Sequence, residues 1–251
     1  MKLKNSLKIW RRNFKVYTKL YKSSFALNFF EPLIYLLAFG FGLGGYVKDI
    51  NGLPYIKFVA RGIVATSAIF AAIYECTYGT YVRMVFQRTF DGILATPINL
   101  EDITLGEILW GATKSIVYGT TIIIVISFAG LVDSIYIIFS IPFIFLSGLV
   151  FAEISIIVIM LLPGIDSFNY FYTLIITPSF LFSGLFFPIE GLHKIIKTIA
   201  FFNPFYHSVK ICRNLSAGNF DGIFYSFLFL LIISILLLPF PFKLMKKKLI
   251  P

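Results

Sequence analysis

IYIIFSIPFIFLSGLVFAEISIIVIMLL, residues 135–162, decides the fold, because Glu153 is its only charged side chain. A helix rises 1.5 Å per residue and the hydrocarbon core of a bilayer is about 30 Å thick, so about 20 apolar residues cross it. Lipid offers the backbone no hydrogen-bond partners, which leaves helices and closed barrels as spanning structures. The run has no period-2 alternation, so it predicts a transmembrane helix and not a barrel strand.

The whole chain has the composition of a membrane protein. Of its 251 residues, 58% are hydrophobic and 14% are charged, whereas soluble domains are about 45–50% apolar and about a quarter charged. Apolar runs of similar length recur along the chain and predict an all-α integral membrane protein. The six predicted transmembrane helices are 28–47, 58–82, 106–130, 135–162, 168–187 and 221–242.

Basic residues concentrate at the two ends of the chain and account for much of its net charge of +10. By the positive-inside rule both ends are cytoplasmic, which requires an even number of spans. We therefore attribute the charge to membrane topology and expect no nucleic-acid partner. The two clusters are Lys2, Lys4, Lys8, Arg11, Arg12, Lys15, Lys19 and Lys22 before the first span, and Lys243, Lys246, Lys247 and Lys248 after the last.

Residues 1–22 predict an amphipathic helix rather than a span. Apolar residues recur there at steps of three and four, and basic residues fill the other positions. Such a helix lies in the plane of an anionic leaflet, where each basic residue adds about 1 kcal/mol of attraction. It is either a topology anchor alone or also a contact for a cytoplasmic partner. We assign residues 1–24 to this interface helix and residues 25–248 to one transmembrane domain. The apolar positions are Leu3, Leu7, Trp10, Phe14, Tyr17 and Tyr21.

RMVFQRTFDGILA, residues 83–95, predicts a second amphipathic helix. Thr96-Pro97 ends it, and Asn99 with Asp102 predicts the N-cap of the next helix. A short cytoplasmic helix followed at once by a span is suited to act as a lever; the alternative is an ordinary interfacial loop helix. Its apolar positions are Phe86, Phe90, Ile93 and Leu94, at i, i+4, i+7 and i+8.

The segment 188–219 opposes the positive-inside rule locally. Its apolar stretch, 198–209, is too short to span and contains Asn203-Pro204. We therefore predict two short re-entrant or interfacial helices on the extracytoplasmic side, broken at this dipeptide. The alternative, a cytoplasmic segment, would place the C-terminal lysines outside. The local charges are Lys194, Lys197, Lys210 and Arg213 against Glu190.

Ionisable residues inside the predicted spans are candidates for function, because each costs roughly 2.5–3.5 kcal/mol on insertion scales. Glu31 has an alternative role in a capping box with Asn28, and Arg61 lies close enough to a span end to snorkel. The deeper carboxylates are expected to face a partner helix or an aqueous cavity, and they are too sparse for a proton relay. The set is Glu31, Arg61, Glu75, Lys114 and Glu153.

Three tyrosines of the second span, Tyr74, Tyr78 and Tyr81, share one helical face at i, i+4 and i+7. They form either an aromatic lining on which sugar rings stack or an aromatic belt and packing surface. Together with Glu31 and Glu75 they are our predicted lining of a transport pathway.

The chain lacks the motifs of an enzyme. It has no Gly-Lys dipeptide and so no phosphate-binding P-loop. His193 and His207 have no metal-ligand spacing with Cys76 and Cys212, which also form no disulfide framework. No G-x-S-x-G nucleophile motif occurs. We expect no catalytic residue, metal or cofactor here, so the energy for any transport comes from another subunit.

Four blocks of sequence carry a family resemblance. They resemble the ABC-2 type permeases and, within these, the nodulation-type lipo-oligosaccharide exporter permeases. The blocks are long and ungapped, so they are specific for the family but not for the cargo. They are EPLIYLLAFGFGLGGYV at 31–47, RGIVATSAIFAAIYECTYGTYVRMVFQRTFDGILATPINLEDITLGEILWGATKS at 61–115, TPSFLFSGLFFPIE at 177–190 and NPFYHSVKICR at 203–213.

The resemblance implies a homodimer of six-span subunits in a bacterial inner membrane, each bound to a cytoplasmic ABC ATPase that holds ATP and Mg. It implies that residues 83–95 are a coupling helix docked on the ATPase, that residues 1–22 lie beside it, and that residues 188–219 close the outer end of the pathway. The implied ATPase contacts are Arg83, Phe86, Gln87, Arg88 and Asp91.

Several functions are compatible with a membrane protein of this kind. Export of an amphipathic glycolipid or lipo-oligosaccharide leads, and export of hydrophobic drugs within the same superfamily is the alternative. A membrane-embedded transferase would carry a cluster of catalytic Asp, Glu or His residues at one membrane face. An ion channel or proton-coupled carrier would carry a sustained polar stripe or several buried carboxylates.

Overall fold

The chain folds almost entirely into helices. The structure, a computed structural model, describes residues 2–47, 49–50 and 52–249, with the backbone alone for residues 20–29 and 31. Strand β1, Asp49–Ile50, pairs antiparallel with β2, Leu53–Pro54. The α-helices are α1 Leu3–Leu37, α2 Tyr55–Tyr74, α3 Thr89–Leu94, α4 Leu100–Phe128, α5 Ser140–Leu161, α6 Phe168–Phe171, α7 Thr177–Leu181, α8 Lys194–Phe201, α9 Pro204–Ala217, α10 Ile223–Leu237 and α11 Pro239–Leu249.

Several of these helices continue as π- or 3-10-helix. A π-bulge shifts the face that the following residues present, and such bulges are frequent at functional sites. The π-helical turns are Ala38–Gly42, Glu75–Gly79, Val82–Phe86 and Tyr172–Ile176, and the 3-10 turns are Leu43–Gly45, Ile135–Phe139, Ile165–Ser167 and Ile189–Gly191.

Among the described residues, four helices are long and apolar enough to cross a membrane. They match the second, third, fourth and sixth predicted spans. The first and fifth predicted spans are shorter: Pro32–Gly45 is an apolar helix of less than spanning length, and the helix that begins at Phe168 ends at Leu181. The four long helices are Tyr55–Phe86, Leu100–Phe128, Ile135–Leu161 and Ile223–Leu249.

Helix α1 runs unbroken from Leu3 to Leu37, through the point where we predicted an interface helix to end and a span to begin. Pro32 lies inside it; membrane helices tolerate proline because neighbouring groups satisfy the freed carbonyl. Residues 28–31 are helix interior, so no helix begins at Asn28 and the capping-box alternative is wrong. The side chain of Glu31 lies outside the described residues.

The first part of α1 packs on α4 through a face that the apolar pattern did not indicate. Ser6, Ile9 and Asn13 are buried, and Gly106 of α4 permits the close approach, since a Cβ there would lie 2.6 Å from Ile9 Cβ. This part of α1 therefore has a packed face, a basic face and an exposed apolar face. The exposed apolar face carries Leu3, Leu7 and Phe14, and Val16 is exposed elsewhere on this part of the helix.

Both described termini lie at one end of the bundle, which we call the basic end. The Lys2 backbone N–H donates to Asp102 Oδ1 at 2.6 Å, at the start of α4. Lys248 Nζ donates to the carbonyls of Ile159 and Leu162 at 2.9 and 3.0 Å, where α5 ends.

The opposite end carries the β-hairpin, the turn 129–134 and helices α8 and α9. The backbone N–H groups of Asp133 and Ser134 donate to the carbonyl of Ser216 in α9 at 3.2 and 3.1 Å. Asn203 Oδ1 caps α9 by accepting from Phe205 N at 3.0 Å. The prediction of two short helices broken at Asn203-Pro204 is confirmed. Arg61 forms an ion pair with Asp133 here.

Candidate functional site

Segment 83–95 is not a single helix. A π-helical turn ends at Phe86, and Arg88 takes a left-handed backbone with φ +47° before α3 begins at Thr89. Non-glycine residues rarely adopt this conformation, so it breaks the helix. Phe86 is therefore 65% exposed and Phe90 1% exposed. The prediction that they share one apolar face is wrong.

The break leaves an exposed tip at the basic end, formed by residues 85–88 and 91. It holds four of the five side chains predicted to contact an ATPase. Arg83 differs, because its guanidinium points into the bundle and only 15% of its side chain is exposed. The four exposed side chains are Phe86, Gln87, Arg88 and Asp91.

Arg83 belongs to a buried group of charges that we call the charge cluster: Glu75, Arg83, Glu107 and Lys114. Its Nη1 donates to Glu75 Oε1 at 2.7 Å, and its Nε donates to Glu107 Oε2 at 3.2 Å. Lys114 Nζ pairs with Glu75 Oε2 at 2.8 Å. Two cations and two carboxylates thus balance, which offsets the cost of taking the charges out of water.

Neutral groups complete the charge cluster and join three helices to it. Asn13 Nδ2 of α1 donates to Glu107 Oε1, and Thr80 Oγ1 donates to Glu107 Oε2, both at 2.8 Å. Lys114 Nζ lies 4.6 Å from the centre of the Tyr17 ring, a cation–π distance. The cluster therefore ties α1 and α4 to the long helix Tyr55–Phe86, whose end carries the exposed tip.

Sequence reasoning included Glu75, Arg83 and Lys114 but missed Glu107. The third span was predicted to begin at residue 106, which placed Glu107 at the membrane boundary. The available signal was its spacing from Lys114, because residues seven apart lie on one helical face. Asn13 was missed because it falls outside the apolar stripe of α1.

The three predicted lining tyrosines of the long helix Tyr55–Phe86 divide into two groups. Tyr74 and Tyr78 stack on Tyr172, with ring centroids 5.4 and 5.7 Å apart and planes 20° apart, and the Tyr172 hydroxyl lies 2.9 Å from Thr77 Oγ1. Tyr81 meets the Phe168 ring edge-on, and Tyr78 does so as well. The π-turn Glu75–Gly79 shifts the helical phase and separates Tyr81 from the other two.

Glu153 lies apart from the charge cluster, buried between α5 and α10. Its Oε1 accepts from Ser234 Oγ at 2.9 Å, so it faces a partner helix, which was one of its two expected surroundings.

A cavity of about 430 Å³ opens beside the charge cluster, between α1, α2 and α4. We call it the α1–α2–α4 cavity. It combines cationic, polar and aromatic side chains at the basic end. Among those lining it are Arg12, Tyr17, Tyr78, Gln87, Trp110 and Lys114.

In the described part of the chain no group of three or more His, Cys, Asp or Glu residues has the arrangement of a metal site. Cys76 and Cys212 are free and buried.

Residues 6–217 match the model of the family described as ABC-2 type transporter. The chain belongs to this family. As an ABC-2 transporter it is a multi-pass membrane protein and a transport subunit, not an enzyme.

This ABC-2 transporter is similar to curated proteins over most of its length. It is 37% identical to Nodulation protein J of Sinorhizobium fredii over 209 residues, 83% of this chain and 80% of the relative. It is 38% identical to Nodulation protein J of Rhizobium meliloti over 215 residues, covering 86% and 82%. It is 20% identical to the inner membrane transport permease YadH of Escherichia coli over 213 residues, covering 80% and 78%. The resemblance to nodulation-type members is confirmed.

Proposed function

We propose that this ABC-2 transporter is the permease subunit of an exporter that moves an amphipathic glycolipid or lipo-oligosaccharide out of the cytoplasm. A separate cytoplasmic ATPase, which binds ATP and Mg, drives it. The observation that carries the proposal is the exposed tip of segment 83–95, which lies at the basic end next to the charge cluster. The similarity to proteins named Nodulation protein J favours a nodulation-type cargo over a drug.

The proposed topology has six spans with both termini in the cytoplasm of a bacterium, in its inner membrane. It is supported by the position of both described termini at the basic end. In this topology the first and fifth crossings include the shorter helices Pro32–Gly45 and 168–181. Helices α8 and α9 are the proposed re-entrant pair that closes the outer end.

The proposed coupling step begins when ATP draws two ATPase subunits together. They push on the exposed tip, where Phe86, Gln87, Arg88 and Asp91 make the contact. Arg83 is a positioning residue in this scheme, because its two carboxylate partners transmit the movement to α2 and α4. The first part of α1, the proposed interface helix of residues 1–24, follows through Asn13.

The proposed pathway lies between two copies of the chain, near the first, second and fifth spans. Large apolar side chains of these segments are exposed, among them Ile34, Phe41 and Leu174, and a second copy would cover them. The stacked Tyr74, Tyr78 and Tyr172 are the proposed aromatic lining beside this surface. Tyr81, the third tyrosine predicted for this lining, packs against Phe168, as Tyr78 also does.

The coupling proposal is tested with the chain reconstituted together with the proposed ATPase subunit. Arg88→Glu reverses an exposed charge at the tip, so we expect transport-coupled ATP hydrolysis to fall about tenfold or more while the chain stays folded. Lys197→Glu, an exposed charge reversal on α8, is the matched control. Equal activity of the two variants, or ATP hydrolysis by the purified chain alone, would contradict the proposal.

The cargo is tested by mass spectrometry of lipids that accumulate in a strain lacking the chain. Accumulated acylated oligosaccharide supports glycolipid export. Unchanged lipids together with raised sensitivity to hydrophobic drugs would support the drug-export alternative.

A further inference from the structure

The α1–α2–α4 cavity has one cation more than its carboxylates balance. The two carboxylate oxygens of Glu75 pair with Arg83 and Lys114. The carboxylate of Glu107 accepts hydrogen bonds from Arg83, Thr80 and Asn13. The charge cluster at the wall of the cavity is therefore neutral, and Arg12 is additional to it.

Arg12 is half-buried and contacts only neutral acceptors among the described residues. Its Nη1 donates to Asn13 Oδ1 at 3.1 Å and its Nη2 to Thr89 Oγ1 at 3.4 Å. Burial lowers the pKa of Arg12, Glu107 raises it and Arg83 lowers it. A guanidinium held in this way has unused capacity to bind an anion with two parallel hydrogen bonds.

Beside Arg12 the cavity wall is aromatic. The rings of Tyr17 and Trp110 pack with centroids 5.6 Å apart, and Tyr78 lines the α2 side. Ligand sites combine such apolar walls with a few polar groups that orient the ligand. A cation beside aromatic rings, on a membrane protein, suits a molecule with a charged head and an apolar body.

We propose that the α1–α2–α4 cavity binds the anionic headgroup of an amphipathic lipid, with Arg12 contacting the anion and Tyr17, Tyr78 and Trp110 contacting the adjoining part of the molecule. The headgroup belongs either to a resident phospholipid or to an exported glycolipid. The proposal requires a membrane location but not the identity of the cargo.

The test uses the full chain in lipid nanodiscs with Trp10→Phe, which leaves Trp110 as the sole tryptophan. Its fluorescence is titrated with dibrominated phosphatidylglycerol, which is anionic, and with dibrominated phosphatidylcholine, which is zwitterionic. We expect half-maximal quenching at about tenfold less phosphatidylglycerol, the value of one charge-assisted hydrogen bond. Arg12→Gln should remove this preference.

Arg11→Gln is the matched control, because Arg11 neighbours Arg12 but is exposed. It removes the same charge and should keep the preference. Equal quenching by the two lipids, or an equal loss in the two variants, would overturn the proposal. If Arg12→Gln does not fold, Arg12→Lys is used in its place. Arg12→Lys should weaken the preference for phosphatidylglycerol, because lysine lacks the planar guanidinium that donates two parallel hydrogen bonds. An unchanged preference in this variant would contradict the role of Arg12.

Two competitors identify the source of the headgroup. A synthetic diacyl disaccharide carrying one phosphate should displace the brominated phosphatidylglycerol and restore Trp110 fluorescence if glycolipids use the site. If the site holds a resident phospholipid, the disaccharide should leave the quenching unchanged. Inorganic phosphate at the same concentration should not displace it, because phosphate lacks the apolar body. Displacement by phosphate would overturn the assignment to a lipid. None of these results depends on ATP hydrolysis.

Discussion

Glu107 shows how one buried carboxylate organises its surroundings. It is fully buried and accepts hydrogen bonds from Arg83, Thr80 and Asn13. Gly79 leaves room for the neighbouring pair, since a Cβ there would lie 2.8 Å from Glu75 Oε1. Groups on three helices therefore depend on a single charge.

Glu107→Gln should lower the apparent melting temperature of the purified chain. The amide keeps an acceptor but leaves Arg83 with one carboxylate, and breaking a buried ion pair costs about 3–5 kcal/mol. Scanning fluorimetry measures the change. Adding Arg83→Gln to this variant should cost less than Arg83→Gln costs alone. Asp166→Asn, at an exposed carboxylate, is the control and should change stability by less than about 0.5 kcal/mol.

Asp133 should make the opposite end of the bundle sensitive to acid. The hydrogen bond from Lys57 holds the pKa of Asp133 below its usual value, burial raises it, and the charge of Arg61 lowers it. A lowered pKa adds stability above the unfolded value of about 3.9 and loses it as pH falls through the folded value.

The measurement compares melting temperatures of the wild type and Asp133→Asn between pH 3 and pH 7. The wild type should be the more stable at pH 7, and the difference should shrink below about pH 4. A difference that is constant with pH would rule out this ion pair as its cause.

At the scale of elements, the contact between α1 and α4 depends on Gly106. A Cβ there would lie 2.6 Å from Ile9 Cβ and 2.9 Å from the Ser6 carbonyl oxygen. Gly106→Ala should therefore displace the first part of α1 and expose it to trypsin, which cleaves after its lysines and arginines. Gly92→Ala is the control, because no atom lies within 4 Å of a Cβ at Gly92. Equal cleavage of both variants would contradict this role for Gly106.

Local signals in the sequence predicted local structure. Asn99 is the N-cap of α4, as predicted, and Asp102 completes a capping box with it. Asn203-Pro204 separates α8 from α9. Both depend on hydrogen bonds and dihedral limits within a few residues, which a single sequence contains.

Features set by contacts distant in sequence were not predictable in the same way. Arg88 adopts a left-handed backbone conformation that sequence analysis expects mainly at glycine. It therefore gave no signal of the break in a segment whose apolar spacing favoured one helix. Helix α1 buries Ser6, Ile9 and Asn13 because α4 offers them Gly106 and Glu107, about a hundred residues away. The spacing of apolar residues in α1 did not indicate this contact with α4.

At the scale of the whole molecule, the charges divide the bundle into two unlike ends. The basic end holds both described termini and the exposed tip, where an ATPase would push. The opposite end holds α8 and α9, and α9 accepts backbone hydrogen bonds from the turn 129–134. The charge cluster lies close to the basic end and joins α1, α2 and α4, so we expect a push on the tip to move these helices together.

This arrangement predicts which surfaces a membrane-impermeant maleimide reaches in intact cells freed of their outer membrane. Cys76 and Cys212 are buried, so introduced cysteines dominate the labelling. Glu190→Cys, exposed between α7 and α8, should react at once. Lys4→Cys and Lys247→Cys, exposed at the basic end, should react only after the membrane is permeabilised, because the positive-inside rule predicts that this end faces the cytoplasm. Immediate labelling of Lys247→Cys with protection of Lys4→Cys would require an odd number of crossings. Labelling of both termini with protection of Glu190→Cys would invert the orientation and remove the tip from reach of an ATPase.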